Sequence, residues 1–271
     1  MSQPLDDLSA PARIAAIRAN QFEYFRYLGR SPQAELYDSP QLAWSLTGVP
    51  HPFLNNVFHT QLTAGNVDDV IACTLSYFTS RNVTHFSWWT EPGSQPADLA
   101  EHLLAHGLAY TDGGPGMAVD LLALNEDVAA PRELTIGLVA DRKALQQWSD
   151  ALVVGFGLLE SEGAAFDLYA GLGFNLPLRS YVGCLNGEPV ATVQLFLGAG
   201  VAGVYCVSTV PEARRRGIGA AMTLAALREA RDMGYRAGIL TSSSMGFSVY
   251  RRLGFEELCK MSHFYLAPRS V

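Results

Sequence analysis

Val204-Tyr-Cys-Val-Ser-Thr-Val-Pro-Glu-Ala-Arg-Arg-Arg-Gly-Ile-Gly-Ala220 is the stretch on which the reading of this 271-residue chain turns. Val204 to Val207 are strand formers, and Pro211, which has no N–H to give to a ladder, ends the strand. Three cations, Arg214, Arg215 and Arg216, then meet the small residues Gly217, Gly219 and Ala220 where a helix opens. That helix can be followed through Met222, Ala225, Ala226 and Glu229 to a stop at Gly234. A helix start leaves backbone N–H groups without partners and carries partial positive charge. A glycine there lets phosphate oxygens reach those amides. Strand, arginine cluster and glycine-opened helix together predict a pyrophosphate cradle.

Two common phosphate loops are excluded. The P-loop needs a Lys-Ser/Thr pair after its last glycine, where Ala220-Ala221 stand, and the dinucleotide fingerprint needs a third glycine where Met222 stands. Taken alone, the segment reads equally well as a helix start with a solvated arginine cluster. Arg214-x-x-Gly217-x-Gly219 resembles the acyl-CoA signature of the GNAT acetyltransferase superfamily, and the chain downstream extends the likeness. A buried strand is expected at Ala237–Thr241, followed by a helix over Met245–Leu253 with serines 242–244 at its start and Gly254 past its end. Tyr250 stands four residues before Gly254-Phe255, as in the second conserved element of that superfamily. The family's asparagine six residues before the tyrosine is here Ser244, which can cap a helix but has no amide to extend toward a pantetheine arm.

The resemblance, which spans residues 201–266, implies direct transfer of an acetyl group from acetyl-CoA to an amine. It implies that backbone amides among Val207, Ser208 and Thr209 meet the thioester carbonyl. Arg214, Arg215, Arg216, Gly217, Ile218, Gly219 and Ala220 would hold the pyrophosphate, with Ser244 near the pantetheine. Tyr250 would return a proton to the departing thiolate. Glu160, Glu162 and Asp167 lie in the region that usually borders the acceptor, and none of them is singled out over a water relay. Cys206 reads as a core residue, since direct transfer needs no nucleophile. His102 and His106 have metal-ligand spacing, but no third ligand is evident, so they read as helix-surface residues and no metal is expected. Of Trp88 and Trp89, at least one is expected in the core, with the other free to line a cleft.

The remaining chain predicts a second, similar unit. A helix capped by Ser9 runs to Gly29, a helical piece lies near Gln41–Leu46, and a strand covers Val57–Leu62. A helix then starts at Asn66 or Asp68, followed by a strand at Phe86–Thr90, a helix at Ala97–Ala105 and a strand at Gly116–Leu122. This order repeats that of the C-terminal part. Leu104-Ala-His-Gly107-Leu matches Arg252-Leu-Gly254-Phe, and Met117–Leu121 matches Met261–Tyr265. After a join near 125–132, the second half is expected to open with a strand at Leu134–Val139 and a helix capped by Asp141. A second helix and a three-strand meander turning at Asn186-Gly187 follow. The expected architecture is α/β (α+β): two GNAT-like domains, 1–128 and 129–271, each a mixed, mostly antiparallel sheet flanked by helices. Thr63-Ala-Gly-Asn-Val-Asp-Asp69 has no arginine and two aspartates, and Leu103 stands where the other half has Tyr250. The N-terminal half is therefore expected to bind no acyl-CoA and to pack beside the substrate cleft.

Composition narrows the partners. Hydrophobic residues at 49% and charged residues at 17% indicate a globular chain with ample core. A net charge of −7 argues against nucleic acid and for a local basic site on an acidic body. Four separated cysteines without a C-x-x-C pair argue against a disulfide framework, and no apolar run reaches membrane-spanning length. The expected protein is a cytoplasmic N-acetyltransferase for a small-molecule amine. The alternatives are a non-catalytic acyl-CoA-binding sensor and a protein N-acetyltransferase.

Overall fold

The computed structural model describes residues 3–91, 93–158 and 162–266. In chain order the first elements are helix α1 (Ala10–Leu28), strands β1 (Glu35–Asp38), β2 (Leu42–Leu46) and β3 (Asn56–Thr60), helix α2 (Val67–Ser80), strand β4 (Ser87–Trp89), helix α3 (Leu99–Ala105) and strands β5 (Leu108–Thr111) and β6 (Pro115–Asp120). After β6 come β7 (Leu134–Leu138), α4 (Arg142–Phe156), α5 (Glu162–Leu172), β8 (Leu178–Leu185), β9 (Glu188–Gly198) and β10 (Val201–Thr209). The last elements are α6 (Ile218–Asp232), β11 (Ala237–Thr241), α7 (Phe247–Arg252), β12 (Glu256–Lys260) and β13 (His263–Leu266).

These elements form two compact units, neither of them a continuous piece of chain. One is built from the start of the chain to Tyr24 and Gly114–Cys259, the other from Phe25–Gly113 and the segment from Lys260 onward. A cut between 128 and 129 separates the two repeats, but packing divides the chain elsewhere, because two strands are exchanged. β6 follows the first repeat in sequence and lies between β11 and β12 in the seven-stranded sheet β12-β6-β11-β10-β9-β8-β7. β13 follows the second repeat and lies between β4 and β5 in the six-stranded sheet β1-β2-β3-β4-β13-β5. The exchanged strands are the two matched in sequence, Met117–Leu121 and Met261–Tyr265. β6 has 6 residues and β13 has 4, and each is paired on both sides, so their exchange leaves both sheets complete.

In the smaller unit β3 and β4 run parallel on either side of α2, over a core that includes Val57, Ile71, Phe78, Phe86, Trp88 and Leu103. The segment expected to be helical near Gln41–Leu46 is instead β2, paired with both β1 and β3. Leu42, Ala43, Ser45 and Leu46 are buried, and burial between two partner strands overrides a local sequence poor in β-branched residues. Trp88 and Trp89 are both buried, so neither lines an open cleft. Their indole N–H groups donate to Thr60 Oγ1 (3.0 Å) and Asn56 Oδ1 (2.8 Å). His102 Nδ1 and His106 Nε2 both meet Asp68 Oδ1, at 2.8 and 3.0 Å. Among the described residues no group of three or more potential ligands could hold a metal ion.

In the larger unit β9 is buried on both faces. Ala191, Val193, Leu195 and Leu197 share a core with Met222, Leu224 and Leu227 of α6. The intervening residues face the opposite side, where Gln194 and Phe196 meet Tyr24 of α1 and Thr192 meets Ser208. Asn20 anchors α1 there: its amide donates to the carbonyls of Gly198 (2.9 Å), Phe196 and Val201 (both 3.4 Å). The hairpin read at Asn186-Gly187 is present, with φ of 52° and 89°. Asp141 caps α4 by accepting the Ala144 N–H at 2.8 Å. No helix among the described residues is long and apolar enough to cross a membrane.

Candidate active site

β10 carries the first half of the site. It pairs with the parallel strand β11 only at Ala202–Gly238 and Gly203–Ile239, although it continues to Thr209 and β11 to Thr241. Beyond Gly203 the two strands part. The antiparallel pairing with β9 shifts between Tyr205, opposite Gln194, and Ser208, opposite Thr192, so that Cys206 and Val207 face the single residue Val193 in a β-bulge. Cys206 has φ of +49°, a conformation that β-carbon-bearing residues adopt only where their surroundings hold them.

A row of amides forms the second half. α6 begins at Ile218 with Gly217 as N-cap at φ +80°, and no side chain caps it. Among the described residues, the N–H groups of Arg215 through Ala220 meet no acceptor, and the first bond of the helix is Ala221 N–H to Gly217 C=O at 3.1 Å. The two signature glycines serve different ends. A β-carbon on Gly217 would stand 1.7 Å from the carbonyl oxygen of Ala129, whereas one on Gly219 would meet only Thr209 Oγ1, at 3.9 Å. Gly217 makes the turn possible, and Gly219 keeps the outer side of the helix start open. Arg215 and Arg216 are exposed and make no ion pair among the described residues.

Residues 199–258 match the family model for the acetyltransferase (GNAT) domain. The match runs from β10 to the start of β12, the segment that carries the candidate site. No curated protein matches the sequence. Among solved structures, a GCN5-related N-acetyltransferase from Kribbella flavida is 21% identical, covers 92% of this chain and 94% of its own, and superposes with a TM-score of 0.66. A conserved protein of unknown function from Staphylococcus epidermidis is 17% identical over 90% of this chain and 96% of its own, with a TM-score of 0.60. A tandem GNAT protein from the clavulanic acid biosynthesis pathway is 14% identical over 99% of both chains, with a TM-score of 0.56. The fold is that of tandem GNAT proteins, two mixed sheets flanked by helices.

Within the matched segment and the elements packed on it, the expected site residues are distributed as follows. Val207, Ser208 and Thr209 lie at the bulge and the open end of β10. Arg214 is turned inward, donating from Nε to Thr209 C=O (3.0 Å) and from Nη2 to Gly155 C=O (2.9 Å), which ties the end of β10 to the end of α4. Arg215 and Arg216 are then the exposed cations of the cluster. Ser244 is exposed in the turn before α7 and does not cap it; the neighbouring Ser243 accepts the Gly246 N–H, at 3.2 Å. Tyr250 is buried on α7, and Gly246 makes room for its ring, since a β-carbon there would stand 2.8 Å from Tyr250 Cε2. Burial raises the Tyr250 pKa well above the phenol value, so the hydroxyl keeps its proton at neutral pH. Glu160 and the side chain of Glu162 lie outside the described residues, and Asp167 is exposed on α5.

Sequence reasoning missed a group of polar side chains behind the bulge. Cys206, read as a core residue, lies half-buried with its Sγ 3.7 Å from the Tyr24 hydroxyl and 3.5 Å from that of Tyr169. Tyr24 donates to Gln194 Oε1 (2.8 Å), and Gln194 Nε2 donates to Ser180 Oγ (3.0 Å). Tyr205 stacks on Tyr24 with centroids 4.0 Å apart and donates to Asn20 Oδ1 at 2.7 Å. Burial raises the pKa values of Tyr24, Tyr169 and Cys206, so all three stay neutral. The signal that could have found them is aromatic and polar residues among apolar ones on α1, α5 and β9.

The corresponding turn of the smaller unit bonds several of its own amides. There Asn66 Oδ1 accepts the Thr63 N–H at 2.8 Å, and the N–H groups of Asn66 and Val67 bond Thr63 C=O at 3.1 and 3.0 Å. No arginine stands in that turn, and Asp68 and Asp69 occupy the first turn of α2.

Proposed function

We propose that the GNAT domain binds acetyl-CoA and transfers its acetyl group directly to the amine of a small molecule. One observation carries this reading: the six consecutive amides from Arg215 to Ala220 that meet no acceptor among the described residues, beside two exposed arginines, where β10 parts from β11. Amides in that arrangement suit a pyrophosphate, and Arg215 and Arg216 add positive charge with forked donors beside them. The fit is supported by Gly219, where an added β-carbon would meet only Thr209 Oγ1, at 3.9 Å.

Acetyl-CoA, when bound, supplies an activated acyl group and a thiolate leaving group. The chain's own part is to hold and to donate. Amides of the bulge at Val207 to Thr209 suit the carbonyl oxygen on which charge develops, a stabilisation commonly worth about 3 kcal/mol. Tyr250 keeps its hydroxyl proton through burial and serves as the acid for the thiolate. The groups grouped around Cys206 are neutral, which supports acceptance of an amine delivered without its charge. Free, separated cysteines support a reducing cytoplasm as the site of action.

Calorimetry with acetyl-CoA and CoA, together with thiol release across a panel of amines, tests the proposal. Binding with turnover is the expected result, and absence of heat with either nucleotide rejects it. Tyr250→Phe is expected to lower turnover by about 10- to 100-fold while acetyl-CoA affinity stays within about twofold; an unchanged rate removes the acid role. A second reading, acyl-CoA binding without transfer, is favoured by the absence of a carboxylate among the side chains described around Cys206. Binding without turnover on any amine would support it.

A further inference from the structure

The strained backbone at Cys206 is held by a side chain that no motif includes. Thr192 is, with Gln194, one of two fully buried polar residues in the centre of β9, and it lies opposite the bulge. Its Oγ1 donates to the carbonyl of Cys206 at 2.6 Å and lies 2.8 Å from Ser208 Oγ. Thr192 has one hydroxyl hydrogen, and the Cys206 carbonyl can only accept. Ser208 is therefore the donor in the second bond, giving the chain Ser208 O–H to Thr192 O–H to Cys206 C=O, with the Ala151 carbonyl, at 3.4 Å, the more distant alternative acceptor for the Ser208 hydroxyl.

That chain has a geometric consequence. A trans peptide places its C=O and N–H antiparallel in one plane. Holding the Cys206 carbonyl toward β9 turns the N–H of Val207, the other end of the same peptide, toward the opposite side, where β10 has parted from β11. We propose that Thr192 is a positioning residue for acyl transfer: it aims the Val207 amide into the gap between the strands and keeps Cys206 at its φ of +49°. This assignment rests on the acyl-CoA reading above and adds the residue that sets the direction of the carbonyl-binding amide. Valine at position 192 has the same shape but no hydroxyl, so it leaves the packing and releases the peptide; serine keeps the hydroxyl.

The test uses the whole protein and acetyl-CoA labelled with 13C at the carbonyl. Infrared difference spectra of the bound thioester report the hydrogen bond to its oxygen as a lowered stretching frequency. The wild-type protein is expected to show that lowering, Thr192→Ser to retain it, and Thr192→Val to lose most of it with CoA affinity within about twofold. With an accepted amine, kcat of Thr192→Val is expected to fall about tenfold or more and KM for acetyl-CoA to stay unchanged. Should the valine variant not fold, Thr192→Ala gives the same readout. Equal lowering in wild type and Thr192→Val, or loss in the serine and valine variants alike, overturns the role of Thr192. Acetyl-CoA that binds the wild type without lowering also overturns it and leaves the binding assignment standing. No binding by the wild type removes both.

Discussion

Gly217 and Gly219 are two residues apart and identical in composition, yet they answer to different forces. Gly217 sits at φ +80° with the Ala129 carbonyl against it, so Gly217→Ala is expected to cost about 2 kcal/mol or more and to weaken acetyl-CoA binding with the turn. Gly219 is helical with open space beyond it, and a residue with a side chain has the higher helix propensity. Gly219→Val is therefore expected to keep or raise the melting temperature while lowering acetyl-CoA affinity about tenfold or more, since it fills the approach to the amides. Thermal denaturation and calorimetry on the two variants separate the turn from the cradle. Equal losses of stability and binding in both would show that the amide row is not the binding surface.

Among the elements, α4, β10 and the turn before α6 meet at the Arg214 guanidinium. Its two donors hold carbonyls contributed by Thr209 and Gly155. A lysine carries the same charge on a single nitrogen and cannot hold both carbonyls in that geometry. Arg214→Lys is expected to lower unfolding stability by about 1–2 kcal/mol, measured by urea denaturation, and to lower acetyl-CoA affinity less than Gly219→Val does. If Arg214 instead reached the diphosphate, the ranking would be reversed, with affinity lost and stability kept. The same junction explains why the first arginine of the signature is buried work and the next two are surface charge: only the side chain at 214 leaves the turn on the protein side.

For the molecule as a whole, the exchange of β6 and β13 makes the two repeats depend on each other for complete sheets. A fragment of residues 129–271 lacks the strand that covers one edge of β11, and a fragment of 1–128 lacks the strand between β4 and β5. Bare ladder edges of this kind favour aggregation. Each fragment alone is expected to be poorly soluble, and co-expression of the two to restore a stable complex, checked by size-exclusion chromatography and thermal melting; a soluble, cooperatively melting 129–271 would show that β6 is dispensable. Acid lability is a second whole-molecule property. Burial lowers the His51 pKa from 6.5 to about 4, with the neighbouring His85 adding to the effect, and His51 Nδ1 accepts the Phe53 N–H at 3.3 Å. The unfolded chain takes up this proton first, so the stability His51 contributes is present above pH 6.5 and is lost as pH falls from 6.5 toward about 4. His51→Gln is expected to flatten the decline of melting temperature across that window, an effect on the order of 2 kcal/mol; an unchanged slope assigns the decline to other groups. His102, whose pKa is raised by its bond to Asp68, acts in the opposite sense, contributing below the unfolded histidine pKa and ceasing to do so as pH rises through its folded value.

Local chemistry decided much of this protein in advance. Asn186-Gly187 specifies a turn with two positive φ values, Asp141 a helix start, and Gly217 and Gly219 an accessible row of amides, because each depends on sterics and hydrogen bonds within a few residues of chain. The likeness of Met117–Leu121 to Met261–Tyr265 was also present in the sequence, but which sheet each strand joins was not. Both strands can pair on two sides, and the choice of sheet falls to the burial of everything around them. The inward turn of Arg214, the start of α7 at Gly246 with no serine side chain capping it, and the strand at Leu42–Leu46 were decided in the same way. So was the site behind the bulge. Tyr24 reaches Cys206 across 182 positions of sequence and Tyr169 across 37, a meeting that no pattern along the chain records and that only the packing of α1 and α5 onto the sheet brings about.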